Sequence, residues 1–367
     1  MAQYFTERLQ KVFHMIFKSY NQEMAQEGLR QLELIVNNQQ SPEQTKHQAL
    51  RNDMTTSLEN EINTKEDALK IANDQESREI ADAYALLARI YAGPRFTWEE
   101  SNFPENNMRT YQCLHDSIRR CSPIGTLQAL RINGTITPTV EKDMLISFDD
   151  AFRIVYDYAE QGDAFCQYII GNVFFWRDDD RISLARDMIT PPRLSLAKRI
   201  QQSFQKGSIQ ERLIALQGTV SNETLQDNAT KLAKEWFNKA LDNGLAMFQG
   251  NLRNIYIDEG DFNNARRVAL TAAELGNPTM MLYTGLDCHE NGKFEDAFTW
   301  FTKGAALGQA ESTAELADYY YHFYDAKELR RVIPYDPVKA IGLYRRAATK
   351  YFSDAGYAAL QAAFGYI

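Results

Sequence analysis

The stretch FEDAFTWFTKGAALGQAE, residues 294–311, sets two large aromatics, Trp300 and Phe301, a few positions ahead of tiny residues that run into Gly308. Thirty-two residues upstream, FNNARRVALTAAELGNPT repeats the size pattern in the same register. Aligned on that glycine, Gly244, Gly276 and Gly308 are spaced 32 and 32 apart without a gap. Eleven positions before them stand Ala233, Ala265 and Ala297, with Ala151 before Gly162. Eight before come Trp236, Val268, Trp300 and Ile154, and three or four before come Ala240, Ala272 with Ala273, Ala305 and Ala159. Nine after, small residues recur at Gly171, Gly285 and Ala317, and Arg253 breaks the rule. A fixed period of this kind marks a repeat architecture.

The spacings are helical, since residues three, four and seven apart share a helix face. Each unit reads as two amphipathic helices, one ending at the aligned glycine, where a left-handed cap costs glycine little. Inside the units, EGDF at 259–262 and NGKF at 291–294 repeat the same device. Small residues at helix crossings let the backbones approach closely, and the aromatics fill the space beside them. Degenerate units are then expected at Glu79, Ser122, Gly207 and Tyr351, giving seven to eight helix pairs. The excess length falls in insertions at 94–107, 133–144, 178–192 and 326–334, most of which carry Pro or Gly. Helices are expected before the repeats at about 3–20, 22–37 and 42–62. The apolar stripe Phe5, Leu9, Phe13, Ile16, Phe17 and Tyr20 suits the first to capping the open end of the stack.

KEWFNKALDNGLA, TWFTKGAALGQAES and YDYAEQGDAFCQYIIGNVFF resemble Sel1-like repeats, a branch of the tetratricopeptide-type solenoids. The resemblance covers 145–176 and 230–367 well and 65–132 fairly. It implies an all-α fold: a right-handed α-solenoid of seven to eight Sel1-like, TPR-like helix-turn-helix repeats over 64–367, degenerate and loop-rich at 178–230, behind an N-terminal helical cap at 1–63. It also implies a protein-binding scaffold, adaptor or regulator, and no common reaction.

Composition bounds the function. With 44% hydrophobic and 24% charged residues, the chain can bury a substantial core. No apolar run approaches the roughly 20 residues of a membrane span, and the N-terminus lacks the pattern of a secretory signal. Four scattered cysteines do not make a disulfide framework, so a cytoplasmic protein is expected, and the resemblance implies a bacterial one. The net charge of −9 disfavours nucleic acid and anionic membrane and would attract a basic protein partner.

No phosphate loop, nucleophile elbow or HExxH helix occurs, so no catalytic residue, cofactor or metal is expected. Cys113, His115 and Cys121 read as ligands too far apart on one helix to share a metal. Asp178, Asp179 and Asp180 lack calcium-loop spacing and read as caps in a solvated loop. In DYYYHFYD, 318–325, Tyr320 shares its repeat position with Phe174 and Tyr256, which points to packing. If the helix after each glycine lines the binding face, the partner-contacting residues are Tyr168, Asn172, Phe175, Asn254, His289, Asp318 and Tyr321. The leading expectation is a non-catalytic scaffold for a protein partner. A more specific version is an immunity protein that neutralises a basic toxin domain. The alternatives are an enzyme or small-ligand sensor with a site in 178–230, and a self-associating structural subunit.

Overall fold

The computed structural model describes residues 3–37, 65–93, 97–98, 101–132, 143–191, 220–247, 249–323 and 333–348, together with 198, 201 and 204–209. Among these residues every regular element is helical. The helices are α1 (Glu7–Phe17), α2 (Gln22–Asn37), α3 (Lys65–Asn73), α4 (Gln75–Tyr91), α5 (Asn107–Arg119), α6 (Pro123–Ile132), α7 (Phe148–Glu160) and α8 (Ala164–Phe175). They continue with α9 (Ser183–Ile189), α10 (Asn222–Asp242), α11 (Gly250–Asp258), α12 (Phe262–Glu274), α13 (Pro278–Glu290), α14 (Phe294–Ala306), α15 (Ala310–Tyr321) and α16 (Pro337–Ala348). From α10 onward each helix packs against its neighbours in sequence, and α13 also meets α15. The chain is an α-solenoid of stacked helix pairs.

The turns follow from two adjacent residues. Gly162, Gly244, Gly276 and Gly308 all adopt left-handed backbone, with φ of +96°, +80°, +102° and +91°. The N–H after each closes back on the helix just ended, as in Asn277 N–H to Ala272 O at 3.0 Å and Asp163 N–H to Tyr158 O at 3.0 Å. Three of those following residues then cap the next helix, Asp163, Asn277 and Gln309 accepting from the N–H of Cys166, Met280 and Ser312.

Size complementarity holds the pairs together. A Cβ on Gly171 would lie 2.6 Å from the Phe237 ring, and one on Gly285 would lie 2.5 Å from the Phe301 ring, so neither position accepts even a methyl without a shift. Where the glycine position is Ala317, Tyr344 fills the facing place in the same buried cluster. Where it is Arg253, the facing residue shrinks to Ala269.

Two expected anchors move. Helix α3 ends at Asn73, six residues before Glu79, and Asp74 caps α4. Cys121, with φ +64°, takes the place of the glycine before α6, one residue ahead of Ser122, which caps α6 by accepting from Gly125 N–H at 3.0 Å. Cys121 thus lies past the end of α5 and shares no helix with Cys113. The acidic run is also not a solvated loop. Asp178 and Asp179 are buried in a short 3-10 turn, Asp178 paired with Arg131 and Asp179 with Arg177 and Arg186.

The expected first two helices form as α1 and α2, while 42–62, the anchor at 351 and most of 192–219 lie outside the described residues. Instead of covering an open end, α1 lies across several units. Phe5 and Phe13 pack on Phe165, and Trp98 donates its indole N–H to Ile16 O at 2.8 Å. The Tyr20 ring sits over Gly276. The segment before α1 ties the starts of three helices: Tyr4 N–H donates to Asp163 at 3.0 Å, its hydroxyl donates to Asp82 at 3.3 Å, and Ile124 N–H donates to that hydroxyl at 3.3 Å. Arg78 donates to Tyr4 O at 2.7 Å and to Asp82 at 3.1 Å, while Ser122 donates to Asp82 at 2.6 Å. Burial lifts Asp82 to about 6, against the pull of Arg78.

An unhindered helical glycine gains about 1 kcal/mol on replacement by alanine, whereas overpacking costs about 1–3 kcal/mol. Gly285→Ala is therefore expected to lower stability in urea unfolding, and adding Phe301→Leu to return part of the loss. A stabilised Gly285→Ala, or no coupling between the two substitutions, contradicts the packing described.

Candidate functional site

Helices α4, α6 and α8 each start at a side-chain cap, Asp74, Ser122 and Asp163, and together with α11 they line a cavity of about 430 Å³. Its walls are Leu127, Ile169 and Val173, and Trp176, 51% exposed, stands at the rim. The polar lining is Arg89, Gln128, Arg131, Asn172, Asn251 and Asp178. Counted from Cys121, Gly162 and Gly244, the lining residues Gln128, Ile169 and Asn251 fall seven residues on, Arg131 and Asn172 ten on, and Trp176 fourteen on. Positions spaced by three and four form one stripe on a helix, so the repeat brings these side chains together from separate units.

The charges in the groove are largely answered. Arg131 donates to Asp178 at 2.8 Å and lies over the Trp176 ring, 5.5 Å from its centre. Arg89, buried, donates to the Tyr168 hydroxyl at 3.0 Å and lies over the Phe165 and Tyr168 rings. Gln128 is 4% exposed, and neither atom of its carboxamide has a hydrogen-bond partner among the described residues.

A second cavity, about 770 Å³, lies among α11 to α14 and is lined by Arg253, Phe262, Ala269, Tyr283 and Trp300 among others. It opens where Arg253 and Ala269 replace the glycine and phenylalanine of other units, and Arg253 lies on the Tyr283 ring at 3.9 Å.

Of the residues expected to face a partner, the structure places Tyr168 and Asn172 in the first cavity. Asn172 bonds back to Tyr168 O at 3.1 Å through its amide N–H, leaving its side-chain oxygen toward other uses. Phe175 is half-buried between Trp176 and Phe237. Asn254 is exposed and lines neither cavity. His289 meets the Tyr319 hydroxyl at 2.7 Å and Phe294 edge-on, Asp318 accepts from the Tyr344 hydroxyl, and Tyr321 rests against Tyr335. His289 and Asp318 thus make contacts between helices, and Tyr321 meets the segment that leads into α16. Arg89, Gln128, Arg131, Trp176 and Asn251 escaped the sequence reading. Its stripe ran at six, ten and thirteen residues past the anchor, about one residue from the actual one.

Among the described residues no group of three or more His, Cys, Asp or Glu is placed to hold a metal ion. Burial pushes the Cys113 and Cys121 thiols up to about 12 and Cys166 well above its usual range, so these thiols stay protonated at neutral pH. His115 bonds Asp143 at 2.7 Å. Among the described residues no helix is long and apolar enough to cross a membrane.

No protein-family model matches the sequence, and no curated protein does. Among solved structures, the chain is similar to a Sel1 repeat protein from Oxalobacter formigenes, at 16% identity over 75% of this chain and 87% of that one, with a TM-score of 0.36. It is also similar to c5321, a protective antigen present in uropathogenic Escherichia coli strains and displaying an SLR fold, at 16% identity over 78% of this chain and 57% of that one, with a TM-score of 0.35.

Asp318 gives a pH test of its structural role. Burial, with Glu315 adding to it, raises its carboxyl to about 6 despite the Tyr344 hydrogen bond. Between the ordinary carboxylate range and pH 6 the folded chain holds a proton that the unfolded chain releases, so this group's contribution to stability falls as pH rises through that window. Asp318→Asn is expected to gain roughly 1–3 kcal/mol on the wild type at pH 7.5 relative to pH 4. Thermal unfolding across pH checks this, and parallel wild-type and variant profiles would contradict it.

Proposed function

We propose that the chain is a non-catalytic helical-repeat scaffold that binds a protein partner, receiving an extended segment of it in the groove over α4, α6, α8 and α11. The observation that carries the reading is the stripe itself. Positions on separate units supply apolar walls, a half-exposed tryptophan at the rim and three side-chain amides, Gln128, Asn172 and Asn251. Aromatic anchors beside adaptable polar groups suit polypeptide recognition.

The net charge of −9 supports a basic partner, because a long-range field speeds encounter with the opposite charge. The groove itself carries Arg89, Arg131 and Asp178, so that acidity lies elsewhere on the chain. Neutralisation of a basic toxin domain is the specific form of this reading that the net charge favours.

Affinity capture from the native host with the tagged full chain, at low and at moderate salt, should retain a dominant basic protein more strongly at low salt. Trp176→Ala is expected to weaken that binding about tenfold or more, and Phe262→Ala, exposed at the second cavity, to leave it unchanged. Equal binding by wild type and Trp176→Ala would remove the groove from the account.

A further inference from the structure

Gln128 sits inside α6 with its side chain lining the 430 Å³ cavity, more than nine-tenths buried. Buried polar groups are normally satisfied, and one left without partners costs stability. A leucine of similar volume would fill the same place without that cost. The feature therefore has no packing rationale, and it lies where the repeat brings other polar side chains together.

The chemistry of the carboxamide narrows what would satisfy it. Gln offers a two-hydrogen donor and a carbonyl acceptor side by side. A carboxylate ligand would use only the donor and would meet Asp178, which already answers Arg131. A second amide uses both, its carbonyl accepting while its N–H donates. A nucleobase edge has the same capacity, but the net charge of −9 opposes nucleic acid. Asn251, aligned with Gln128 in its own unit, and Asn172, one turn along the stripe, present further amides from two other helices. Amides presented from separate units match a ligand whose amides recur, as a polypeptide backbone does.

Resting on the groove reading above, we infer that Gln128 reads a main-chain amide of the bound segment. A turn about its terminal side-chain bonds brings the carboxamide into the cavity, where Nε2 donates to a backbone carbonyl and Oε1 accepts that peptide's N–H. Trp176 and the walls formed by Leu127, Ile169 and Val173 cover the flanking side chains.

The test pans a phage-displayed library of linear 12-residue peptides against the full chain and measures the selected peptides on wild type, Gln128→Leu and Trp176→Ala. Backbone amides of the best peptide are then N-methylated one at a time. The inference expects Gln128→Leu to weaken binding about tenfold or more, and to abolish the penalty that N-methylation at one position carries with wild type. The free variant should melt no lower than wild type, since it sheds an unsatisfied group. Peptides weakened by Trp176→Ala but indifferent to Gln128→Leu would overturn the inference and leave the groove reading standing. A Gln128→Leu chain that melts well below wild type would overturn it as well, by making Gln128 structural. Selection of no peptide, of peptides insensitive to Trp176→Ala, or preferential binding of a single-stranded oligonucleotide would overturn both.

Discussion

The stack depends on a size rule across one helix interface. Nine residues after the capping glycine, the chain leaves out a side chain, and seven residues before the next one it supplies a ring, as in Gly171 with Phe237 and Gly285 with Phe301. Small-to-large contacts of this kind bring backbones close and leave little freedom in how successive pairs are set. Ala317 with Tyr344 keeps the rule in milder form, and Arg253 with Ala269 reverses it. The reversal has a visible consequence: Arg253 leaves the interface for the Tyr283 ring, and a cavity opens beside it.

The N-terminal segment adds a second constraint, on the helices that carry the groove. Tyr4 is bonded to Asp82 on α4, to the backbone at the start of α6 and to Asp163 at the start of α8, with Arg78 completing the network. These are three of the four groove helices. A buried charged network of this type is costly unless its groups are paired, and here each has a named partner. It fixes the starts of α4, α6 and α8 relative to one another, which is what a recognition surface assembled from separate units requires.

Much of this was legible in the sequence. The 32-residue period, the glycine turns and the alanine crossings announce themselves because each has a narrow physical requirement that few residues meet. What misled were places where another residue meets the same requirement. Cys121 takes the left-handed turn that glycine takes elsewhere, so an alignment on glycine lands one residue late, at Ser122. Asn73 ends α3 without a glycine, so the size pattern alone points to Glu79 instead. A one-residue shift turns a helix face by about 100°. The expected stripe of the same order of error kept Tyr168 and Asn172 and lost Gln128, Arg131 and Trp176. His289, Asp318 and Tyr321 read as binding groups because polar and aromatic residues near helix ends look exposed in sequence, yet their partners, Tyr319, Tyr344 and Tyr335, are supplied by tertiary packing. The placement of α1 across the units was likewise set by distant contacts, which no local pattern encodes.

The central claim is that an extended polypeptide lies along the stripe of α4, α6, α8 and α11. Backbone-amide hydrogen exchange of the full chain, free and saturated with a bound partner, tests it most directly, because protection maps the occupied face without any substitution. The account predicts added protection concentrated in 123–132, 164–175 and the first turn of 250–258, with little change in 294–321. Protection centred on 262–306, or spread evenly over every unit, would contradict it.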